Sequence, residues 1–250
     1  MTDASADFSP QRYARVGGLL YLIIIVAGIN GELFVRGSTI VSGDAAATAR
    51  NLMTAQLLWR TGIAGDLVMH ICDVGLMLVF FVLLRPVSRN LAMLAVLFNL
   101  IQTSVLVANK LTLLQPLFLL GNAEYLKAFT PQQLEALSYV SLRTHDSGFG
   151  FGLIFFGMEC LVVGYLIFTS GYFPKTLGVL MQAAGVCYLT NSFALILAPA
   201  LASRLFPFIL LPPFIGELSM ALWLLVKGVD LSRWPGRHES VGSLQAFQAR

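Results

Sequence analysis

The chain has 250 residues, of which 57% are hydrophobic and only 12% are charged, and its formal net charge is +3. Soluble domains average about 25% charged residues, so this composition excludes an ordinary water-soluble surface. The small positive excess, without any Lys/Arg-rich cluster, argues against a nucleic-acid partner. The composition therefore predicts a membrane protein whose main partner is the lipid bilayer.

Six apolar runs are each long enough to cross a bilayer, because a span needs roughly 20 apolar residues. They lie at about residues 14–35, 60–84, 91–110, 147–169, 176–198 and 206–227. Backbone inside lipid must be helical or part of a closed barrel, and these runs are too long and too uniformly apolar for barrel strands. We therefore expect an all-α polytopic membrane protein, with one six-helix domain over residues 1–232 and a polar, disordered tail at 233–250.

The first run requires a choice between a signal peptide and a membrane span. Arg12 and Arg15 precede it, as basic residues precede the apolar part of a signal peptide. The run is long, however, and Glu32 interrupts its far end. These features favour a retained first transmembrane helix.

Two longer connections are predicted to contain short amphipathic helices. In the first, Asp44 precedes a run of strong helix formers, as an N-cap residue does. In the second, residues 130–133 read Thr-Pro-Gln-Gln, which is a capping box with proline at the first helical position. This helix is expected to run toward the fourth span. Residues 111–120 either extend the third span or lie along the interface, and the sequence leaves both alternatives open.

The orientation follows from the distribution of Lys and Arg. With the N-terminus inside, nine cationic residues fall on the inner side and seven on the outer side. The inner loops are also the short ones. The positive-inside rule then predicts a protein of the inner membrane with both termini in the cytoplasm.

The second span contains two acids and an imidazole on one face. At 100° per residue, His70 lies about 40° from Asp66, and Asp73 lies about 20° from Asp66 on the other side. The two acids are about 10 Å apart along the helix axis. The spacing therefore predicts a polar ladder along one face of this helix.

Other spans carry acids at similar depth. Glu159 lies near the middle of span four and Glu217 near the middle of span six, while Glu32 and Asn191 fall in the outer half. A charged side chain at the bilayer centre costs about 2.5 to 3.5 kcal/mol on insertion scales. These acids are tolerable only if they face each other, water or a ligand. The candidate pocket residues are therefore Asp66, His70, Asp73, Glu159, Glu217, Glu32 and Asn191.

Three functions are compatible with such a cluster. The first is a polar pocket or pathway for a small molecule, a proton or a cation, because intramembrane ionisable residues usually mark such routes. The second is a metal-assisted intramembrane hydrolase, although the chain has only one deep histidine and no HExxH spacing. The third is a scaffold or partner-binding subunit in which the acids only join helices. The sequence predicts no cofactor or metal site, identifies no catalytic residue, and leaves a homo-oligomer open.

Several stretches resemble one protein family. They are ARVGGLLYL near the start, SGDAAATARNL before span two, FFGMECLVVGYLIFTSGYFPKTLGVL across spans four and five, and GELSMALWLLVKGV in span six. Together they resemble the bacterial domain-of-unknown-function 4386 family over about residues 12–230. The resemblance implies a multi-pass bacterial membrane protein. It implies no reaction, ligand or catalytic residue, so the roles of the candidate residues depend on the physical argument alone.

Overall fold

The computed structural model describes residues 9–235, and in this range the regular structure is entirely helical. The elements in chain order are α1 (Pro10–Ile29), a π-helical turn (Asn30–Arg36), α2 (Gly37–Thr39), α3 (Ala45–Thr54), α4 (Gln56–Leu84), α5 (Arg89–Leu119), a 3-10 turn (Glu124–Ala128), α6 (Pro131–Ser170), α7 (Lys175–Leu197), α8 (Pro199–Leu205), a second 3-10 turn (Phe208–Leu210) and α9 (Leu211–Val226).

Six helical segments in the described range are long and apolar enough to cross a membrane. They are Pro10–Thr39, Gln56–Leu84, Arg89–Leu119, Pro131–Ser170, Lys175–Leu197 and Phe208–Val226. The predicted all-α, six-span architecture is therefore confirmed. The single-domain boundary at residue 232 stays a prediction, and most of the predicted tail, residues 236–250, lies outside the described residues.

The six spans form a ring. Each span packs against the next one in the sequence, so that α1, α4, α5, α6, α7 and α9 follow each other around the circle. Helix α9 then packs back against α1 and closes the ring. Glycines allow the closest approach between α6 and α7, where a Cβ added to Gly178 would lie 2.6 Å from the backbone oxygen of Gly164. Such small-residue contacts are typical of helix packing in lipid.

One end of the ring is filled by a hydrophobic core. This closed end is where α1 begins and α9 ends, and its fully buried side chains include Leu83, Leu166, Ile167 and Leu224. Tyr172, in the turn between α6 and α7, donates a hydrogen bond from its hydroxyl to the Leu83 carbonyl at 2.6 Å. Burial raises the pKa of this phenol, so it remains a donor at neutral pH.

The opposite, open end of the ring carries the longer connections and a second, smaller core. Trp59 is buried there, packs with Leu52 and Leu113, and donates its indole N–H to the Leu113 carbonyl at 2.8 Å. This core packs α3, the end of α5 and the first part of α6 against the start of α4. Residues 111–120 thus belong to the third span, because α5 continues to Leu119 with Pro116 inside it.

The helix starts predicted in the two connections are confirmed. The Asp44 carboxylate accepts a hydrogen bond from the Ala47 N–H at 2.8 Å. Thr130 and Gln133 form both hydrogen bonds of the capping box. The second helix differs from the expectation in one respect: it is not a separate short helix, because α6 runs without a break from Pro131 to Ser170.

Candidate functional site

The ring of helices encloses a cavity of about 390 Å³. Sites for small molecules in proteins commonly measure about 300–1,000 Å³. All six spans contribute to its wall. The lining residues are Tyr21, Ile24, Ile25, Gly28, Ile29, Glu32, Leu33, Met69, His70, Asp73, Leu76, Phe80, Gln102, Leu106, Phe149, Leu153, Phe156, Glu159, Val163, Met181, Tyr188, Leu210, Phe214 and Glu217.

The cavity extends from the open end of the ring into its middle. Its rim includes Leu33, just past α1, and Phe214, near the start of α9. In the other direction it reaches Phe80 and Val163, which belong to the hydrophobic core of the closed end. The cavity is therefore a blind pocket with a floor near the middle of the ring.

Two carboxyl groups at the floor share one amide. Asn99 on α5 donates its side-chain N–H groups to Asp73 Oδ1 at 3.2 Å and to Glu159 Oε2 at 3.1 Å. Thr103 donates its hydroxyl to Asp73 Oδ2 at 2.9 Å. Helices α4, α5 and α6 are thus joined by hydrogen bonds from neutral donors. Because these donors are uncharged, they add no positive charge next to the two carboxyl groups.

The third carboxyl group lies on the opposite side of the floor. Glu217 on α9 accepts a hydrogen bond from the hydroxyl of Tyr188 on α7. The Tyr21 side chain on α1 lies near the same carboxyl group and is buried. Glu217 itself keeps some accessible surface, because it faces the cavity.

None of these three carboxyl groups has a cationic partner within residues 9–235. The ion pairs of this part of the chain involve other acids. Asp73, Glu159 and Glu217 are close enough to influence one another electrostatically. The floor of the cavity therefore concentrates acidic groups without a compensating positive charge from the protein.

His70 also lines the cavity, one helical turn from Asp73. Its side chain is 3% exposed, and neither ring nitrogen has a hydrogen-bond partner among residues 9–235. A buried polar group without a partner costs free energy, roughly 1–3 kcal/mol. Such a side chain beside a cavity is suited to accept or donate a hydrogen bond to a bound molecule.

Asp66, although it lies on the same face of α4 as His70, has different surroundings. Its Oδ2 accepts hydrogen bonds from Lys110 Nζ and from an Arg36 guanidinium N–H, both at 2.8 Å. Arg36 also binds the Glu32 carboxylate at 2.8 Å. We call these four residues, Glu32, Arg36, Asp66 and Lys110, the ion-pair network. It joins spans one, two and three at the open end.

The position of Arg36 depends on local backbone geometry. It ends the π-helical turn, in which the Gly37 N–H bonds to the Glu32 carbonyl five residues earlier. Gly31 in this turn lies so close to the network that an added Cβ would be 2.6 Å from Asp66 Oδ1. The wider turn and the missing side chain together bring the guanidinium onto the carboxylate.

The structure brings five of the seven candidate residues together around the cavity. They are His70, Asp73, Glu159, Glu217 and Glu32. Asp66 is fully buried in the ion-pair network and does not line the cavity. Asn191 is buried on α7 and does not line it either.

Four residues that contact the candidate carboxyl groups were not predicted from the sequence. Tyr21 and Tyr188 are the neighbours of Glu217, and Arg36 and Lys110 are the partners of Asp66. Lys110 lies only one residue from Asn109 in a polar register of α5, which is a signal for a buried cation. The tyrosines lie in apolar runs and carry no such signal.

A metal-assisted hydrolase needs several converging ligands. Among residues 9–235, no group of three or more His, Cys, Asp or Glu side chains is placed to hold a metal ion. The hydrolase alternative thus gains no support from the geometry of this part of the chain.

The fold and the cavity define a multi-pass membrane protein with six helices arranged around a central cavity. Comparison with known proteins adds the family: the model of the "Domain of unknown function (DUF4386)" family matches residues 16–228, and the chain belongs to this family. It is 29% identical over 171 residues to an uncharacterized protein of Archaeoglobus fulgidus, covering 68% of this chain and 85% of that protein. No solved structure matches the chain.

Proposed function

We propose that this membrane protein binds a small cationic ligand in its central cavity. The observation that carries the proposal is the floor, where Asp73, Glu159 and Glu217 have no cationic partner in the described part of the chain. Carboxyl groups this close repel one another when ionised, and a bound cation would offset that repulsion. The unpartnered His70 beside them supports a ligand that forms hydrogen bonds.

Binding is favoured over conduction by the shape of the ring. The hydrophobic core that includes Leu83 and Leu224 fills the closed end. A hydrated ion would have to cross this core, whose largely aliphatic side chains are poor substitutes for its water. The proposal is therefore a binding pocket that opens on one side of the membrane.

The location of the opening is part of the proposal. With both termini in the cytoplasm of the cell, the open end of the ring faces the outer side of the inner membrane. The nine-to-seven distribution of cationic residues in the sequence supports this orientation.

The test is ligand-dependent stabilisation of the purified protein in dodecyl maltoside. A ligand that binds only the folded state raises the free energy of unfolding by about 2.7 kcal/mol at 100 times its Kd. We expect a cation from a panel of inorganic ions and small amines to stabilise the wild type, and the effect to be lost in Glu217→Gln. Glu124→Gln removes the same charge from the exposed 3-10 turn and should keep it.

Two outcomes would contradict the proposal. One is a panel in which no cation stabilises the wild type. The other is equal stabilisation of Glu217→Gln and the wild type, which would place binding elsewhere. If the wild type and Glu217→Gln respond alike to every cation and differ only in stability, the scaffold alternative is favoured instead.

A further inference from the structure

The wall of the cavity is apolar above its acidic floor. Ile24, Ile25, Leu106, Leu153 and Met181 form much of it. These side chains are a poor environment for a hydrated inorganic ion, because they offer no oxygen ligands. It is suited to a ligand with an apolar part.

Aromatic rings stand next to the carboxyl groups. The rings of Phe156 and Tyr188 lie 5.1 Å apart between their centroids, and the Tyr188 hydroxyl binds Glu217. Tyr21 and Phe80 pack edge to face on the side of α1 and α4. Aromatic faces attract organic ammonium groups, which lose less hydration than metal ions do when they enter such a site.

Helices α1 and α9 pack closely near the closed end, where a Cβ added to Gly18 would overlap the backbone of Leu225. Toward the open end, the sixth span continues from α9 into the 3-10 turn Phe208–Leu210, which packs on α7 and α9. The π-helical turn at the end of the first span does not pack closely on α9 or on this 3-10 turn. The first and sixth spans are therefore less tightly packed against each other at the rim of the cavity than at the closed end.

The rim of the cavity between the first and sixth spans carries exposed apolar side chains. Leu33 is 64% exposed and Phe214 is 44% exposed, and both line the cavity. Exposed apolar side chains within a membrane span are suited to face lipid. This part of the rim therefore favours a ligand that approaches from the bilayer.

Resting on the proposed function, we infer that the ligand is a single-chain lipophilic amine, which reaches the cavity from the bilayer at the rim between the first and sixth spans, past Leu33 and Phe214. Its ammonium group lies at the floor among Asp73, Glu159, Glu217 and His70, and its chain extends toward the rim. A primary ammonium group has three N–H donors, and the floor offers carboxyl oxygens and an imidazole nitrogen as acceptors.

An aminophospholipid carries the same ammonium group, but it also carries a phosphate. The residues that line the cavity include no Lys or Arg to bind that phosphate. The acidic floor would repel it. The charges of the lining residues therefore favour a free amine over a phospholipid headgroup.

The experiment measures binding by equilibrium dialysis in dodecyl maltoside, with protein-free micelles subtracted. The probes are decylammonium, decanol and tetramethylammonium, with phosphatidylethanolamine as a competitor. We expect decylammonium to bind at least about tenfold more tightly than decanol, as hydrogen bonds to charged groups predict, and more tightly than tetramethylammonium. Phosphatidylethanolamine should not compete.

Matched glycine variants test the place of binding. Gly28 lines the cavity, and a Cβ added there meets only Met69 Sδ, at an ordinary 3.5 Å. Gly65 on α4 has nothing within 4 Å of an added Cβ and does not line the cavity. Gly28→Phe should weaken decylammonium binding at least about tenfold, whereas Gly65→Phe should leave it within about twofold of the wild type.

A second readout does not depend on a variant. Decylammonium with a diazirine at the chain end should label rim residues such as Ile29, Leu33 or Phe214, as mapped by mass spectrometry. Labelling confined to other faces of the protein would overturn the inference. Equal binding of decanol, or competition by phosphatidylethanolamine, would overturn it as well.

The outcomes separate this inference from the proposed function. If tetramethylammonium or inorganic cations bind and the decyl chain adds no affinity, the cationic pocket stands and the lipophilic amine is wrong. If no cation binds at all, both fall.

Discussion

Two aspartates on one face of α4 should respond differently to the same substitution. Asp66 is fully buried and shared by Lys110 and Arg36, whereas Asp73 accepts hydrogen bonds only from neutral side chains. They are seven residues apart on the same helix. Asp66→Asn and Asp73→Asn therefore form a matched pair in which the chemistry of the change is constant and only the surroundings differ.

The magnitudes follow from these surroundings. Asp66→Asn leaves two buried cations side by side without their common anion, and breaking a buried ion pair in this way costs about 3–5 kcal/mol. Asp73→Asn keeps an acceptor for the Asn99 N–H. Its new N–H can donate to the Thr103 hydroxyl, which can turn its own proton to Gln102 Oε1 at 3.3 Å. We expect Asp73→Asn to cost about 0.5–1.5 kcal/mol, the net value of a typical hydrogen bond.

The assay is equilibrium unfolding in mixed dodecyl maltoside and SDS micelles, followed by circular dichroism. The double variant Asp66→Asn/Lys110→Met should lie between wild type and Asp66→Asn, because it removes the unpaired ammonium group while Arg36 keeps Glu32. An equal or larger loss in Asp73→Asn than in Asp66→Asn would refute the reasoning. So would a double variant no more stable than Asp66→Asn.

Three further predictions concern packing, a hydrogen bond and topology. Gly178→Ala should lower the free energy of unfolding by about 1–3 kcal/mol, because the added Cβ would lie 2.6 Å from a backbone oxygen of α6. In the same unfolding assay, the control Gly65→Ala has open space around its Cβ and should lower this free energy by less than about 0.5 kcal/mol. Trp59→Phe loses the bond from the buried indole N–H to a backbone carbonyl of α5 and should cost about 1–3 kcal/mol, and an unchanged unfolding midpoint would count against that bond. In a background without native cysteines, Asn122→Cys should react with an impermeant maleimide on intact cells and Asn90→Cys only after lysis; the reverse pattern would invert the proposed orientation.

The helical architecture could be predicted because its signals are local. A run of about 20 apolar residues is sufficient to indicate a span, and the Thr130 capping box or the Asp44 N-cap fixes a helix start within one turn. The periodicity of α4 also predicted correctly that Asp66, His70 and Asp73 share one face of the helix. Each of these statements depends on residues within about 20 positions of one another.

The different surroundings of Asp66, in the ion-pair network, and Asp73, at the cavity, could not be predicted in the same way. Asp66 is paired because Arg36 arrives from a π-helical turn, and one extra residue in a turn changes the direction of a side chain by about 100°. Lys110 reaches Asp66 because α5 is the neighbour of α4 in the ring. Tyr188 reaches Glu217 because α9 closes the ring between α7 and α1. Those contacts follow from the order of helices in the ring, which no single helix encodes.

The two acidic groups on α4 thus meet the cost of a buried charge by different physical means. In the ion-pair network, the acids Glu32 and Asp66 are matched by two cations, so the network is neutral and joins three helices. At the cavity floor, neutral amides and hydroxyls orient the carboxyl groups, which have no cationic partner in the described part of the chain. Carboxyl groups are not needed merely to join helices, since pairs of amide side chains would form the same hydrogen bonds without burying acidic groups. The cavity floor is therefore the place to which the proposed cation is assigned, and the ion-pair network is the part of the α4 face that joins the first three spans.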